Sequence, residues 1–543
     1  MRICARPIAF IGSMRLRTPS RLLIAPQDIR TADPTVADDI YSGYFAFGSK
    51  AVDVHGASPF AVASPSVEWE RALMGFGWLR DLRAANNALS KANAAALVDE
   101  WISLRGSSRR GQAWTPEVVA RRMLSFLSHS PLVLENADAR FYRKFMRSIG
   151  RHVVYLHREG VAGSGGETRL LTIIALNSAA LCTEGLNLPA KRLVRQLQNE
   201  LKRQILIDGA HAGRNPNTIV ELLLDLLPLR QAFVARNQEA PPALIQAIDR
   251  MLPMVRLFRH GDGSLALFNG MGVTHQDALA AVMAHDDTRA KPIMNGIASG
   301  FQRIESGNVV VIADMGKPPP AEFSGGAHAG TLSFEMSSGR SRIIVNCGAP
   351  ESLQGPPREA ARLTAAHSTL SIRDTSSSRI AGHDGADRLL DGRILQGPGA
   401  VEAERFESSS GITIQASHDG YAGRFGLIHE RAIAVDTPGR VVSGRDRLAP
   451  AGGKMHADAA FAIRFHLHPD VRAGSVENGQ AALLVTGDGQ QWVFRCTGQQ
   501  IAIEESIFFA NTEGPRATSQ LVIRGECRPD TTVDWSLRQQ GED

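Results

Sequence analysis

The hydrophobic periodicity of this chain changes near residue 300, and that change limits the folds open to it. From about residue 66 to 287, apolar residues recur at helical spacing between short Gly/Pro breaks. Helices are expected over 66–83, 87–104, 118–128, 138–159, 169–183, 189–207, 217–236 and 241–260. Thr115-Pro116-Glu117 reads as a helix start, with Thr as N-cap and Pro at the first helical position. Repeated helix pairs imply stacked hairpins, either a solenoid or a closed α/α toroid. From about Gly300 the runs are short and β-rich: 309–313, 331–336, 341–345, 368–372, 412–415, 432–435, 460–468, 481–485, 491–494 and 501–503. Gly, Ser and Pro separate them, the pattern of an antiparallel β-sandwich.

A chain of 543 residues exceeds what one core supports, so several domains are expected. The division is an N-terminal arm over 1–65, an α/α domain over 66–295 and a β-sandwich over 296–543, an α+β multidomain class. The joint near 288–300 carries no low-complexity linker, so a cleft between packed domains is the expected ligand site. Sixty basic residues against 55 acidic ones leave a net charge of +5 with no long run. That suits a polyanionic ligand but is too little for a dedicated nucleic-acid binder. Five scattered cysteines without a CxxC pair argue against a disulfide framework or zinc knuckle. No apolar run reaches the roughly 18 residues of a membrane span. The N-terminus has charge but too short an apolar stretch for a secretory signal. The cytoplasm is the default compartment, and the periplasm follows if translation starts elsewhere.

The densest chemistry lies in Asp208-Gly-Ala-His-Ala-Gly-Arg-Asn-Pro-Asn217. Arg214, Asn215 and Asn217 offer donors suited to a carboxylate, and His211 suits proton transfer. The alternative is an ornate helix cap, with Asn215 as N-cap and Pro216 first in the helix. A second loop holds Arg259, His260, Asp262 and Asn269, or else is a Gly C-cap with His260 at a helix end. His328 and His367 each precede a strand, where they could converge on a substrate or metal, or be buried and hydrogen-bonded. Gly330 and Asn346 stand where metal-binding acids would be needed. A tight metal site is therefore not expected, and a weak divalent site at His328, Asn346 and His367 stays open. Tyr421 is an acid/base candidate or a structural tyrosine. His466 and His468 share one strand face and read as structural. Trp78 and Trp114 could stack on sugars, and Arg80 and Arg122 could bind carboxylate or sulfate, unless they pack within the helices.

Several stretches resemble the heparinase II/III family of polysaccharide lyases. Gln204-Ile-Leu-Ile-Asp-Gly-Ala-His-Ala-Gly-Arg-Asn-Pro-Asn217 is similar to the family's loop. His328-Ala-Gly-Thr-Leu-Ser-Phe-Glu335 with Val345-Asn-Cys-Gly348 is similar to its strand pair, and Ala366-His367-Ser-Thr-Leu370 to a further strand. The likeness spans about residues 66–530. It looks closest to the heparinase-like proteins of alphaproteobacteria, through 42–47, 222–233 and 258–263. It implies an incomplete (α/α) toroid followed by antiparallel sheets. It also implies β-elimination at a uronic acid: a group to neutralise the carboxylate, a base for the C5 proton and an acid for the leaving oxygen. Carried over, Asn217 is the neutralising residue and His328 the sandwich histidine. The catalytic candidates are His211, Asn217, His260, His328 and Tyr421. The substrate-binding candidates are Trp78, Arg80, Trp114, Arg122, Arg214, Asn215, Asn269 and His367. The toroid tyrosine expected after Asp262-Gly-Ser264 is absent, with Phe268 nearby, and the family's Pro-x-Tyr-His is Pro216-Asn-Thr-Ile219 here. Two readings follow: a lyase acting on an acidic polysaccharide or oligosaccharide, or a non-catalytic glycan-binding protein on a lyase scaffold. A hydrolase is weaker, because no carboxylate pair stands out.

Overall fold

The structure is a computed structural model that describes residues 18–107, 109–286, 290–352, 355–382, 390, 392–452, 459–528 and 530–541. The N-terminal residues 1–17 and residues 288–289 of the expected joint lie outside the described residues. The chain divides into two compact units. One comprises 1–200 and 225–244, the other 201–224 and 245–543.

The first unit is helical. Its helices include Val67–Gly75, Leu79–Ala85, Ala88–Leu104, Pro116–Ser128, Ala139–Tyr155 and Gly166–Cys182. Local chemistry sets their starts. The Ser66 hydroxyl accepts from Trp69 N–H at 3.1 Å, and Asn87 and Ser90 form a reciprocal capping box. Pro116 is indeed the first residue of its helix, but the Thr115 hydroxyl turns back to Gln112 O instead of capping forward. Pro116–Ser128 packs against Val67–Gly75, Ala139–Tyr155 and Gly166–Cys182. Phe76, Trp101 and Phe126 meet edge-on at its centre, in the geometry aromatic quadrupoles favour.

The second unit holds two large antiparallel sheets, each of eight strands among the described residues. One runs in the spatial order Val401–Ser408, Gly411–His418, Leu427–Asp436, Val441–Pro450, Thr531–Gln540, Gln491–Cys496, Ala481–Val485, Arg472–Val476. The other runs Ile501–Phe508, Arg516–Glu526, Ala460–Leu467, Ser341–Val345, Phe334–Ser338, Val309–Asp314, Phe301–Ser306, with Leu370–Ile372 paired beside Ala460–Leu467. Burial alternates residue by residue along Leu427–Asp436, so Leu427, His429, Arg431, Ile433 and Val435 face inward. Phe334, Phe465, Phe494 and Trp535 stack within that core. Gly444 lies opposite Trp535, and a Cβ there would come within 2.1 Å of the indole. The helical half followed by antiparallel β-sheets is the architecture the change of periodicity implies.

Candidate functional site

The 204–217 loop is held in shape by its own polar groups. Gly209 has φ +89° and a Cβ there would sit 2.0 Å from Arg250 O, so only glycine fits. Asp208 is buried and accepts from Ala210 N, Ala298 N and Ser299 N at 2.7–3.2 Å, which ties the loop to residues 298–299. His211 is fully buried. Its Nδ1 accepts from Gly213 N at 3.0 Å, which leaves Nε2–H to donate to Gln204 Oε1 at 3.1 Å. Burial pushes its pKa down to about 3, so the ring is neutral.

Arg214 is 5% exposed and adopts a left-handed φ of 61°. Its Nη2 donates to Asp314 Oδ1 at 2.6 Å and its Nη1 to Lys317 O at 2.9 Å, and the guanidinium lies over the Phe301 ring. Asn269 donates to the other Asp314 oxygen at 3.1 Å and accepts from His328 N at 3.4 Å. The guanidinium that the loop offers to a ligand carboxylate is thus turned onto the protein's own carboxylate. Pro216 opens the helix Pro216–Ala235, and Asn215 Oδ1 accepts from Asn217 N at 2.8 Å in the first turn. The Asn217 and Asn215 side chains are half-buried.

His328 and His367 do converge. His367 Nδ1–H donates to Leu363 O at 2.8 Å, so its Nε2 accepts from His328 Nδ1–H at 3.1 Å. Burial holds the His328 pKa well below its ordinary value and pushes that of His367 down to about 4. The remaining His328 nitrogen, Nε2, carries a lone pair with no hydrogen-bond partner among the described residues. Asn346 Oδ1 accepts from Ser368 N at 2.9 Å, and its amide nitrogen is buried without a partner. Among the described residues no three His, Cys, Asp or Glu side chains gather as metal ligands. Gly330 has a packing reason, since a Cβ there would lie 2.7 Å from the His367 ring. Gly330→Ala is expected to displace that ring and lower stability by about 1–3 kcal/mol, read from the urea midpoint.

His260 is buried between Ser337 Oγ at 2.9 Å and Glu335 Oε2 at 3.0 Å. The other Glu335 oxygen accepts from Leu267 N and Asn346 N. The Tyr421 hydroxyl donates to Leu370 O at 2.9 Å in the sheet core, where burial raises its pKa. His466 is buried and bonded to Ser506 Oγ and Ala365 O.

The other candidates belong to the helical unit. Trp78 is 4% exposed and donates to Leu73 O, and Trp114 donates to Arg105 O. Arg122 is completely buried, bonded to Met74 O and Ala113 O, and stacked 4.0 Å from the Trp101 ring. Arg80 pairs with Asp28 at 3.1 Å. Sequence reading missed Asp314, Glu335 and Asp446. The available signal was an acid inside or ending an apolar β-run, which must find a buried partner.

Helices followed by two antiparallel sheets, with a His-led strand pair, are the arrangement that the comparisons with known proteins also return. The family model described as "Heparinase II/III-like, C-terminal" matches residues 288–536. FtsZ-localized protein C of Caulobacter vibrioides is 31% identical over 539 residues, covering 96% of this chain and 91% of that protein. Among solved structures, a heparinase III is similar with a TM-score of 0.72 at 14% identity, over 96% of this chain and 87% of that one. The heparan sulfate lyase HepC of Pedobacter heparinus is similar at 0.63 and 15%, over 95% and 84%. Residues 288–536 form a heparinase II/III-like C-terminal domain, and over its length the chain belongs to the same family as FtsZ-localized protein C.

Proposed function

We propose that this chain is a non-lytic member of its family, placed with the alphaproteobacterial heparinase-like proteins, that acts by binding at sites of FtsZ-dependent division. The observation that carries the reading is the commitment of three catalytic candidates, His211, His260 and Tyr421, and of the substrate-binding candidate Arg214 to internal partners. Arg214 is neutralised by Asp314, His260 is held by Glu335, and His211 and Tyr421 are sealed in protein. β-Elimination needs a cation or amide free to meet the substrate carboxylate and an acid/base pair within reach of C5 and O4. The full-length likeness to a relative named for its localisation with FtsZ supports the second half of the reading. Among the described residues no helix is long and apolar enough to cross a membrane.

One observation favours the alternative, a lyase acting on an acidic, uronate-containing glycan. A neutral His328 with a bare Nε2 lone pair is in the correct state for a general base, and half-buried Asn217 is the amide the family resemblance assigns to carboxylate neutralisation. The two readings separate cleanly. Heparin, heparan sulfate, alginate, hyaluronan and polyglucuronate are supplied in turn, and ultraviolet absorbance of unsaturated uronate is followed. The expected result is no rise above buffer, with the chain co-sedimenting with polymerised FtsZ. A rise that disappears in His328→Ala would establish the lyase instead.

A further inference from the structure

The strand Val401–Ser408 ends its sheet, and on its outer side no described strand pairs with it. Its inner side pairs with Gly411–His418 through all eight residues without a register shift. Edge strands present unpaired N–H and C=O groups, and proteins blunt them with charged side chains, Pro, a bulge or short length. This edge, Val-Glu-Ala-Glu-Arg-Phe-Glu-Ser, has no Pro or bulge and is eight residues long, and its charge is mostly acidic, which selects a basic partner strand. Six of the eight residues are exposed, and Phe406 is 52% exposed. The other sheet ends differ. Arg472–Val476 is five residues long and contains Gly474, the first four residues of Phe301–Ser306 are buried, and Ile501–Phe508 lies beside Arg472–Val476.

The two faces of the strand differ in chemistry. Val401, Ala403 and Arg405 line a cavity of about 910 Å³ in which Ile297, Pro318 and Phe323 stand beside Arg203, Lys317 and Glu322. Ile297 is 77% exposed there. Arg405 is already spoken for, donating to Arg303 O at 2.9 Å and paired with Glu407. On the opposite face stand Glu402 and Glu404. Glu404 accepts a neutral hydrogen bond from Gln415 at 2.7 Å, and neither carboxylate has a cationic partner among the described residues. The two-residue turn Ser409-Ser410 makes Ser408 and Gly411 a hydrogen-bonded pair. Alternation then points the N–H groups of Val401, Ala403, Arg405 and Glu407 away from the sheet, toward open space.

We infer that this edge docks an extended segment of another protein by strand addition, and that the segment alternates basic and apolar residues. Main-chain bonds along 401–407 supply the affinity, and alternate side chains read the two faces. Side chains over Glu402 and Glu404 are basic, and those turned toward Ile297 and Phe323 are apolar. Antiparallel self-pairing centred on Ala403, Glu404 or Arg405 sets like charges directly opposite, which destabilises a strand pair. Centring on Phe406 avoids this by pairing Arg405 with Glu407, so a second copy is the rival occupant that the sedimentation arm below separates. The inference stands whether or not the chain retains elimination chemistry.

The test uses the full chain and fluorescein-labelled Lys-Val-Lys-Val-Lys-Val-Lys-Val, followed by anisotropy. Binding is expected for this peptide, and none for the Glu-Val repeat or for octalysine. Glu402→Lys with Glu404→Lys, both on the exposed face, should weaken binding by about tenfold or more. Ala403→Pro removes a donor from the open side only, so it should abolish binding while the thermal transition stays in place. Equal binding by octalysine, or undiminished binding by both variants, would overturn the inference. So would a self-associated chain that Ala403→Pro converts to monomer in sedimentation, because the edge would then serve a second copy.

Discussion

Replacing Asp446 with alanine is expected to lower the stability of the sheet unit by about 3–5 kcal/mol, seen as an early urea midpoint in tryptophan fluorescence. Asp446 is fully buried and collects Arg431 Nε at 2.8 Å, Arg431 Nη2 at 3.1 Å, His429 Nε2 at 2.7 Å and Trp535 Nε1 at 2.9 Å. Arg431 in turn donates through Nη1 to Leu332 O and Ser368 O, which belong to segments packed on the other sheet's side of the core. Together these bonds fasten one sheet to the other. Removing the carboxylate strands a buried guanidinium, and an unpaired buried charge costs far more than the pair contributes. That asymmetry predicts the control. Asp446→Leu combined with Arg431→Met removes both charges, and it should recover part of the loss even though two carbonyls lose a donor. A single Asp446→Ala change within about 1 kcal/mol of the parent would show that the network is not what couples the sheets.

The helices were legible because their signals are local. Ser66 and Asn87 cap, Pro116 starts, and apolar spacing marks the buried face. The strand runs were legible for the same reason. Sheet order was not, since Val441–Pro450 pairs with Thr531–Gln540 across some eighty intervening residues that no local pattern encodes. The site shows the same limit. Composition marked the 208–217 loop as chemically dense, and the fold does place Arg214 and Asn269 on one carboxylate, with the His328 backbone N–H bonded to Asn269. That carboxylate is Asp314, a hundred residues from Arg214 and at the end of an otherwise apolar strand. Nothing in the loop itself announces it. Arg122 and the nearby tryptophans carry a related ambiguity. A guanidinium that stacks on a ring has the same sequence signature whether it serves a ligand or, as here, covers Trp101 inside the protein.

Acidification from pH 7 to pH 5 is expected to destabilise the sheet unit steeply, before its carboxylates titrate. Burial depresses the pKa of His211 to about 3, His367 to about 4 and His466 to about 3. In the unfolded chain each returns to about 6.5. Between those values the unfolded state binds protons that the folded state refuses. Stability from these groups is therefore fully present above pH 6.5 and is lost as pH falls toward 4. Each contributes a slope of about 1.4 kcal/mol per pH unit once its unfolded form is protonated, or roughly 4 kcal/mol per unit for the three. The pairing of Asp446 with Arg431 depresses that carboxylate too, but its contribution is lost only below the ordinary carboxylate range, so the two windows are separate. Urea unfolding at pH 7.5, 6 and 5 reads the slope, and His466→Gln should make it shallower by about 1.4 kcal/mol per pH unit. A midpoint that stays constant from pH 7.5 to 5 would mean that these histidines are open to protons in the folded state. The sealed site described above, and with it the case against elimination chemistry, would then fail together.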